Sequence, residues 1–242
     1  MDQVPGEERP ATLPPGNPSP RWGLGDFAWI YVAGILISLI GASIGFAITG
    51  DQSGHTGALT TALAAFGQFG GWFGCIAYVA HHKGRSLEDD FGLRVDIRDW
   101  WALFAGIGLF VVATLLILPL HALVNESQQV VDDLNAATGA KLAVFAVIAA
   151  LVAPVTEELL FRGLLLRALR RRFAPEVAIG IQALAFALAH PLLSPTLGDL
   201  VVVPALFLLG VVSGLAAETK GDLSASILMH IGFNLVTTLL AL

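Results

Sequence analysis

Charge is scarce in this chain. Lysine, arginine, aspartate and glutamate make up 13% of its 242 residues, about half of the ~25% typical of globular chains. Hydrophobic residues make up 55%. That balance excludes a large water-soluble domain and leaves a polytopic membrane protein. Basic residues are not in excess either, with 13 Lys and Arg against 19 Asp and Glu. No positive field exists to attract nucleic acid, and no nucleic-acid partner is expected. Cysteine is nearly absent. Cys75 is alone and lies in an apolar stretch, so an internal disulfide is excluded and the redox compartment cannot be read from it. Proline is sparse except at the start, where Pro5, Pro10, Pro14, Pro15, Pro18 and Pro20 stand among few large apolar residues. Residues 1–21 therefore read as a disordered tail. The apolar stretch from Phe27 to Thr49 is too long for the core of a signal peptide and has no small-residue cleavage pattern behind it.

What is abundant is long apolar runs. A helix needs about 20 apolar residues to cross the hydrocarbon core. Seven stretches reach or approach that, at about 27–49, 57–81, 100–124, 141–166, 175–190, 200–217 and 222–241. The shortest begins at Pro175, a good first-turn residue. The loops test this map independently. Eleven of the 13 basic residues fall on one side: Arg9 and Arg21, then Lys83 to Arg98, then Arg167 to Arg172, then Lys220. Only Lys141 lies on the other side, whose loops carry Asp51, Glu126, Asp132, Asp133 and Asp199. Basic loops mark the cytoplasmic side. The expected architecture is all-α, with about seven transmembrane helices and the N-terminal tail in the cytoplasm. Three of those helices fall within 22–139. Short loops and strong charge asymmetry suggest a bacterial plasma membrane, with the lipid bilayer as the constant partner. In the second stretch, Gly67/Gly71 and Gly70/Gly74 form two faces on which a neighbouring helix could approach closely.

Against that background, a few polar groups stand inside apolar runs. The fourth stretch holds Glu157, Glu158 and Arg162, the fifth ends in Phe186 and His190, and the seventh holds His230 and Asn234. A charged group at bilayer depth costs at least ~2.5 kcal/mol even on the lenient insertion scale. Glu158 and Arg162 are four apart and can pair on one helical face, while Glu157 is rotated about 100° away. His230 and Asn234 also share a face. From Glu157 to Arg170 is 13 residues, or about 20 Å of helix, which puts the acids near mid-depth. Taken singly, each group has a plain structural reading. Glu158–Arg162 serves equally as a folding staple, His190 as a satisfied helix-end histidine, His230/Asn234 as an interhelical hydrogen-bonding pair, and Phe186 as packing. Together, a carboxylate and imidazoles from three helices could bind a divalent metal or orient a water beside a carboxylate base. Either arrangement would produce a hydrolytic nucleophile.

The ordered set Glu157-Glu158-x-x-x-Arg162, Phe186-x-x-x-His190 and His230-x-x-x-Asn234 resembles the CPBP (Abi) family of intramembrane metalloproteases. That family includes the type II CAAX prenyl endopeptidases and the bacteriocin-processing and immunity proteins. The likeness covers about residues 140–242 and implies a catalytic core built from the last four helices. It implies an endopeptidase acting on a membrane-associated peptide or protein. Glu157 would activate the water, and His190, His230 and Asn234 would complete the site. Glu158 would contribute directly or, with Arg162, in support, beside Phe186. If Zn2+ or another divalent metal is used, its ligands would be Glu157, His190 and His230. No His-Glu-x-x-His helix is present. A non-catalytic immunity or regulatory partner and a proton-coupled transporter are the competing readings. The transporter is disfavoured because no repeat relates the two halves. The sequence leaves the oligomeric state open.

Overall fold

The computed structural model describes residues 21–51, 56–124, 137, 139–191 and 196–240. The expected tail over 1–21 lies almost wholly outside these residues, as do the acidic positions Glu126, Asp132 and Asp133. Among the described residues the chain is all-helical. The long rods are α1 (Leu24–Thr49), α2 (Ala58–Lys83), α4 (Trp101–His121), α5 (Gly139–Arg170) and α7 (Leu197–Lys220). Short helix α3 (Leu87–Phe91) lies between α2 and α4, and α6 (Pro175–Ala189) and α8 (Ser224–Leu240) are the shorter apolar helices. Among the described residues, five helices are long and apolar enough to cross a membrane. The remaining two expected stretches, α6 and α8, are 15 and 17 residues long, short of the ~20 that a perpendicular crossing needs.

The outside of the bundle is its greasiest part. Val32, Leu36, Leu39, Ile40 and Ile48 of α1 are exposed, as are Phe104, Val111, Leu115 and Leu118 of α4. In water such a surface would aggregate, whereas in lipid tails it is the solvated face. The interior carries the polar exceptions and the aromatics. Every residue from Leu159 to Leu166 is buried, which makes the second half of α5 the axis of the fold. Phe186, Leu209 and Leu223 belong to the same core.

Small residues set the closest crossings. A side chain at Gly106 of α4 would collide with the Met229 carbonyl of α8, and one at Gly232 of α8 with the Leu103 carbonyl of α4. The two backbones touch, as small residues permit. Of the two glycine faces expected on α2, Gly67/Gly71 does pack on α1 against Ile37, whereas nothing from another helix approaches Gly70 or Gly74.

The basic loops come together at one end of the bundle. Arg21 N–H donates to the Lys83 carbonyl at 3.0 Å, and Leu223 N–H to the Gly92 carbonyl at 2.9 Å. Lys83 pairs with Asp26 at 2.5 Å, Arg170 with Glu218 at 2.7 Å and Lys220 with Asp99 at 2.6 Å. Arg171 lies 3.9 Å over the Trp22 ring. Four segments separated by pairs of helices thus share one end. This is the geometry that the charge asymmetry demands of an even number of crossings between them.

Candidate active site

Within α5 the two acids occupy a short α-helical stretch, Ala153–Glu158, set between two π-helical ones, Ile148–Val152 and Leu159–Leu166. Such wide turns recur at functional sites. Pro154 explains the first. The Ala153 N–H already reaches back five residues to the Ile148 carbonyl. In the same register the Ala149 carbonyl would fall to residue 154, and proline has no N–H to offer. That carbonyl is satisfied from another helix, by the Asn234 side-chain amide at 2.9 Å.

Glu158 points inward, and its side chain is 0% exposed. One of its oxygens, Oε1, lies 2.9 Å from Arg162 Nη1 and 2.9 Å from His230 Nδ1. The pairing of Glu158 with Arg162 expected from their spacing is therefore present, with His230 as a second partner that the spacing did not reveal. A carboxylate only accepts, so Nδ1 donates and the imidazole presents Nε2 on its far side. There Nε2 is 3.8 Å from Glu157 Oε2, beyond direct hydrogen-bond reach. Glu157 is the more open acid, with a side chain 13% exposed. One imidazole therefore faces both carboxylates with different edges.

Phe186 spaces the remaining groups. Its ring centroid lies 4.3 Å from the Arg162 guanidinium carbon, 4.9 Å from the His190 ring centroid and 5.6 Å from that of His230. His190, exposed just past the end of α6, is bonded through Nδ1 to the Phe186 carbonyl at 2.9 Å. Its Nδ1 donates to that carbonyl, so its Nε2 is the free edge as well. His190 makes no bond to Glu157, His230 or Asn234. The Asn234 amide, expected beside the water, is engaged by Ala149.

The donor chemistry of Glu157, His190 and His230 would suit a divalent cation. Among the described residues no three His, Cys, Asp or Glu side chains are gathered closely enough to hold a metal ion.

Depth can be read from the basic end. Arg167 Nη2 donates to the Gly221 carbonyl at 2.6 Å, which sets those two residues level. Glu157 is ten residues back from Arg167 and His230 nine beyond Gly221. Both therefore lie about 14–15 Å in, near the middle of a ~30 Å hydrocarbon core. One aromatic from the N-terminal half reaches the same level. Tyr31 of α1 is nine residues past Trp22, and its hydroxyl is 3.5 Å from the Ala189 carbonyl. No motif in the sequence marks it.

A comparison with curated proteins and one with solved structures each found no match. Residues 139–236 match the family described as type II CAAX prenyl endopeptidase Rce1-like. The matched stretch runs from the first residue of α5 through most of α8 and contains Glu157, Glu158, Arg162, Phe186, His190, His230 and Asn234. The C-terminal helices of this membrane protein thus carry an Rce1-like domain.

Proposed function

We propose that the chain is an intramembrane endopeptidase that hydrolyses a peptide bond of a membrane-associated peptide or protein, with Glu157 as general base. The observation that carries this reading is the sharing of one imidazole by two unequal acids. Glu158 is buried, and its Oε1 is held by both Arg162 and His230. Glu157 is partly open, with His230 Nε2 3.8 Å away. Two acceptors at that separation can hold one water between them, each taking one of its O–H bonds. The water oxygen then keeps its lone pairs for attack on a carbonyl carbon. As the C–O bond forms, Glu157 takes the proton, and it returns that proton to the amine nitrogen as the C–N bond breaks.

The other residues support that step. Glu158 holds the His230 Nδ1–H tautomer and so keeps Nε2 as an acceptor. Arg162 offsets the Glu158 charge beneath the site. Phe186 fixes the separation of the two imidazoles, and His190 presents Nε2 at the exposed margin, where an extended substrate would pass. Asn234 acts at one remove, by closing the π turn ahead of Pro154. No step is routed through a metal.

The test is cleavage by the purified full-length protein in liposomes, with a farnesylated CAAX-type peptide and its unprenylated counterpart as probes. Wild type should cleave at least one, and Glu157→Gln and His230→Ala should abolish cleavage while inserting normally. Removal of divalent ions with a chelator should leave the rate little changed. Loss of activity on chelation, restored by Zn2+, would overturn the metal-free mechanism. If folded wild type cleaves neither probe, the non-catalytic membrane-partner reading takes its place.

A further inference from the structure

Most of the basic residues at the charged end of the bundle are spent inside the protein. Lys83, Arg170 and Lys220 are in ion pairs, Arg167 bonds to the Gly221 carbonyl and Arg171 lies over Trp22. Arg94 and Arg98 are not spent in this way. Both are exposed, and neither guanidinium makes an ion pair or a hydrogen bond with the described residues. The acids beside them are already committed. Asp96 Oδ1 accepts the Arg98 backbone N–H at 2.9 Å, and Asp99 Oδ1 takes Lys220 Nζ at 2.6 Å. Basic loops orient a membrane protein, but orientation does not account for what surrounds these two arginines.

Their surroundings are apolar and open. Val95, Ile97, Trp100 and Trp101 are all exposed, Ile97 over 82% of its surface. Trp100 meets Phe104 of α4 edge-on, with ring centroids 5.8 Å apart. Helix α4 is 21 residues long, or about 31 Å of rise, which matches a ~30 Å hydrocarbon core. Trp100 and Trp101 therefore stand where α4 enters the membrane, the depth at which indole rings favour the headgroup layer. The inner side of the same segment is fastened to the start of α8. The Leu223 N–H donates to the Gly92 carbonyl at 2.9 Å, the Asp96 N–H donates to Ser224 Oγ at 2.8 Å, and Lys220 holds Asp99. Ser224 opens α8. His230 is one and two-thirds turns further on, about 9 Å along the axis.

We propose that segment 94–101 is a docking site for the headgroup of an anionic phospholipid, with Arg94 and Arg98 on its phosphate, and that the bound lipid steadies the first turns of α8, on which His230 sits. The guanidinium fork suits a phosphate, while the aliphatic side chains and indoles lie among the lipid chains and their glycerol backbones. A soluble acidic protein would meet the arginines but not the tryptophans at the rim of the bilayer. A lipid meets both. The site lies outside the matched segment 139–236 and stands independently of the endopeptidase reading.

The experiment uses the full-length protein in nanodiscs of phosphatidylcholine alone and of an equal mixture with phosphatidylglycerol. In the mixture, wild type should show slower amide exchange over 224–230 and should retain phosphatidylglycerol in native mass spectrometry. Arg94→Gln with Arg98→Gln should weaken that retention about 30-fold, from about fivefold per arginine near an anionic surface. It should also abolish the exchange difference, with the unfolding midpoint in phosphatidylcholine left at the wild-type value. Arg21→Gln with Arg172→Gln removes the same charge elsewhere on this end and should do neither. Equal losses in the two double variants would reduce the effect to net charge and overturn the site. Retention unchanged by Arg94→Gln with Arg98→Gln would also overturn it, as would arginine-dependent binding of a polyglutamate peptide by a wild type that ignores phosphatidylglycerol. Retention without any change in exchange over 224–230 would overturn the link to α8.

Discussion

His230 turns Nδ1 to Glu158 at 2.9 Å and thereby commits its other nitrogen to the side where Glu157 stands. The tautomer of the His230 imidazole is thus set by the buried Glu158. It follows that the two neighbouring acids respond differently to the same substitution.

Glu157→Gln should remove cleavage without loss of stability, since Glu157 has no bond closer than 3.8 Å to His230. Glu158→Gln should cost about 3–5 kcal/mol, because it leaves the fully buried Arg162 uncompensated. Replacing both partners, Glu158→Gln with Arg162→Met, should recover most of that stability but not the activity. Thermal unfolding in detergent and peptide cleavage, measured on the same preparations, separate the two effects.

Asn234 and Pro154 form a second linked pair. Asn234→Ala should expose the Ala149 carbonyl and cost about 1–2 kcal/mol, with faster amide exchange around 148–153. Pro154→Ala supplies the missing backbone N–H, so in that background the Asn234 substitution should cost clearly less. A double-mutant cycle on unfolding free energies measures this. Strict additivity would show that the amide does not serve as the carbonyl's replacement partner.

Outside the membrane, Asp51 offers a pH test. The Thr60 hydroxyl and the Gly57 N–H, each 2.7 Å from its Oδ2, hold its carboxyl below the usual range. A depressed native value means that the ionised form is the one that folding favours. Its contribution to stability is complete above the ordinary carboxylate value and is lost as pH falls through the lower native one. The unfolding midpoint of Asp51→Asn should therefore change less than that of wild type on acidification below about pH 4.

Much of this was visible in the chain before it was folded. Apolar length and loop charge gave the seven stretches and the common end of the basic loops. The four-residue spacing gave the Glu158–Arg162 bond. His230 and Asn234 share a face, yet a turn of separation sends one to the acids and the other to Ala149. The reason lies in the π turn near Pro154, and apolar periodicity carries no sign of it. Tyr31 was invisible for a different reason. It is a lone tyrosine in an apolar helix, and only tertiary packing brings its hydroxyl to the carbonyl of Ala189, 158 residues further on. Gly70 and Gly74 were legible as a face but not as an unused one, since spacing cannot say which side a neighbour takes.

The close approach of Gly106 to Met229 and of Gly232 to Leu103 has a consequence for engineering this protein. Where two backbones touch, neither helix can shift without displacing the other, so α4 and α8 behave as a single bar with His230 mounted on it. A change as small as Gly106→Ala, one helix before Glu157 in sequence, should therefore misalign the His230 imidazole while leaving every residue of the recognisable motifs intact. Grafting or truncation guided only by the boundaries of the matched segment would cut through that bar.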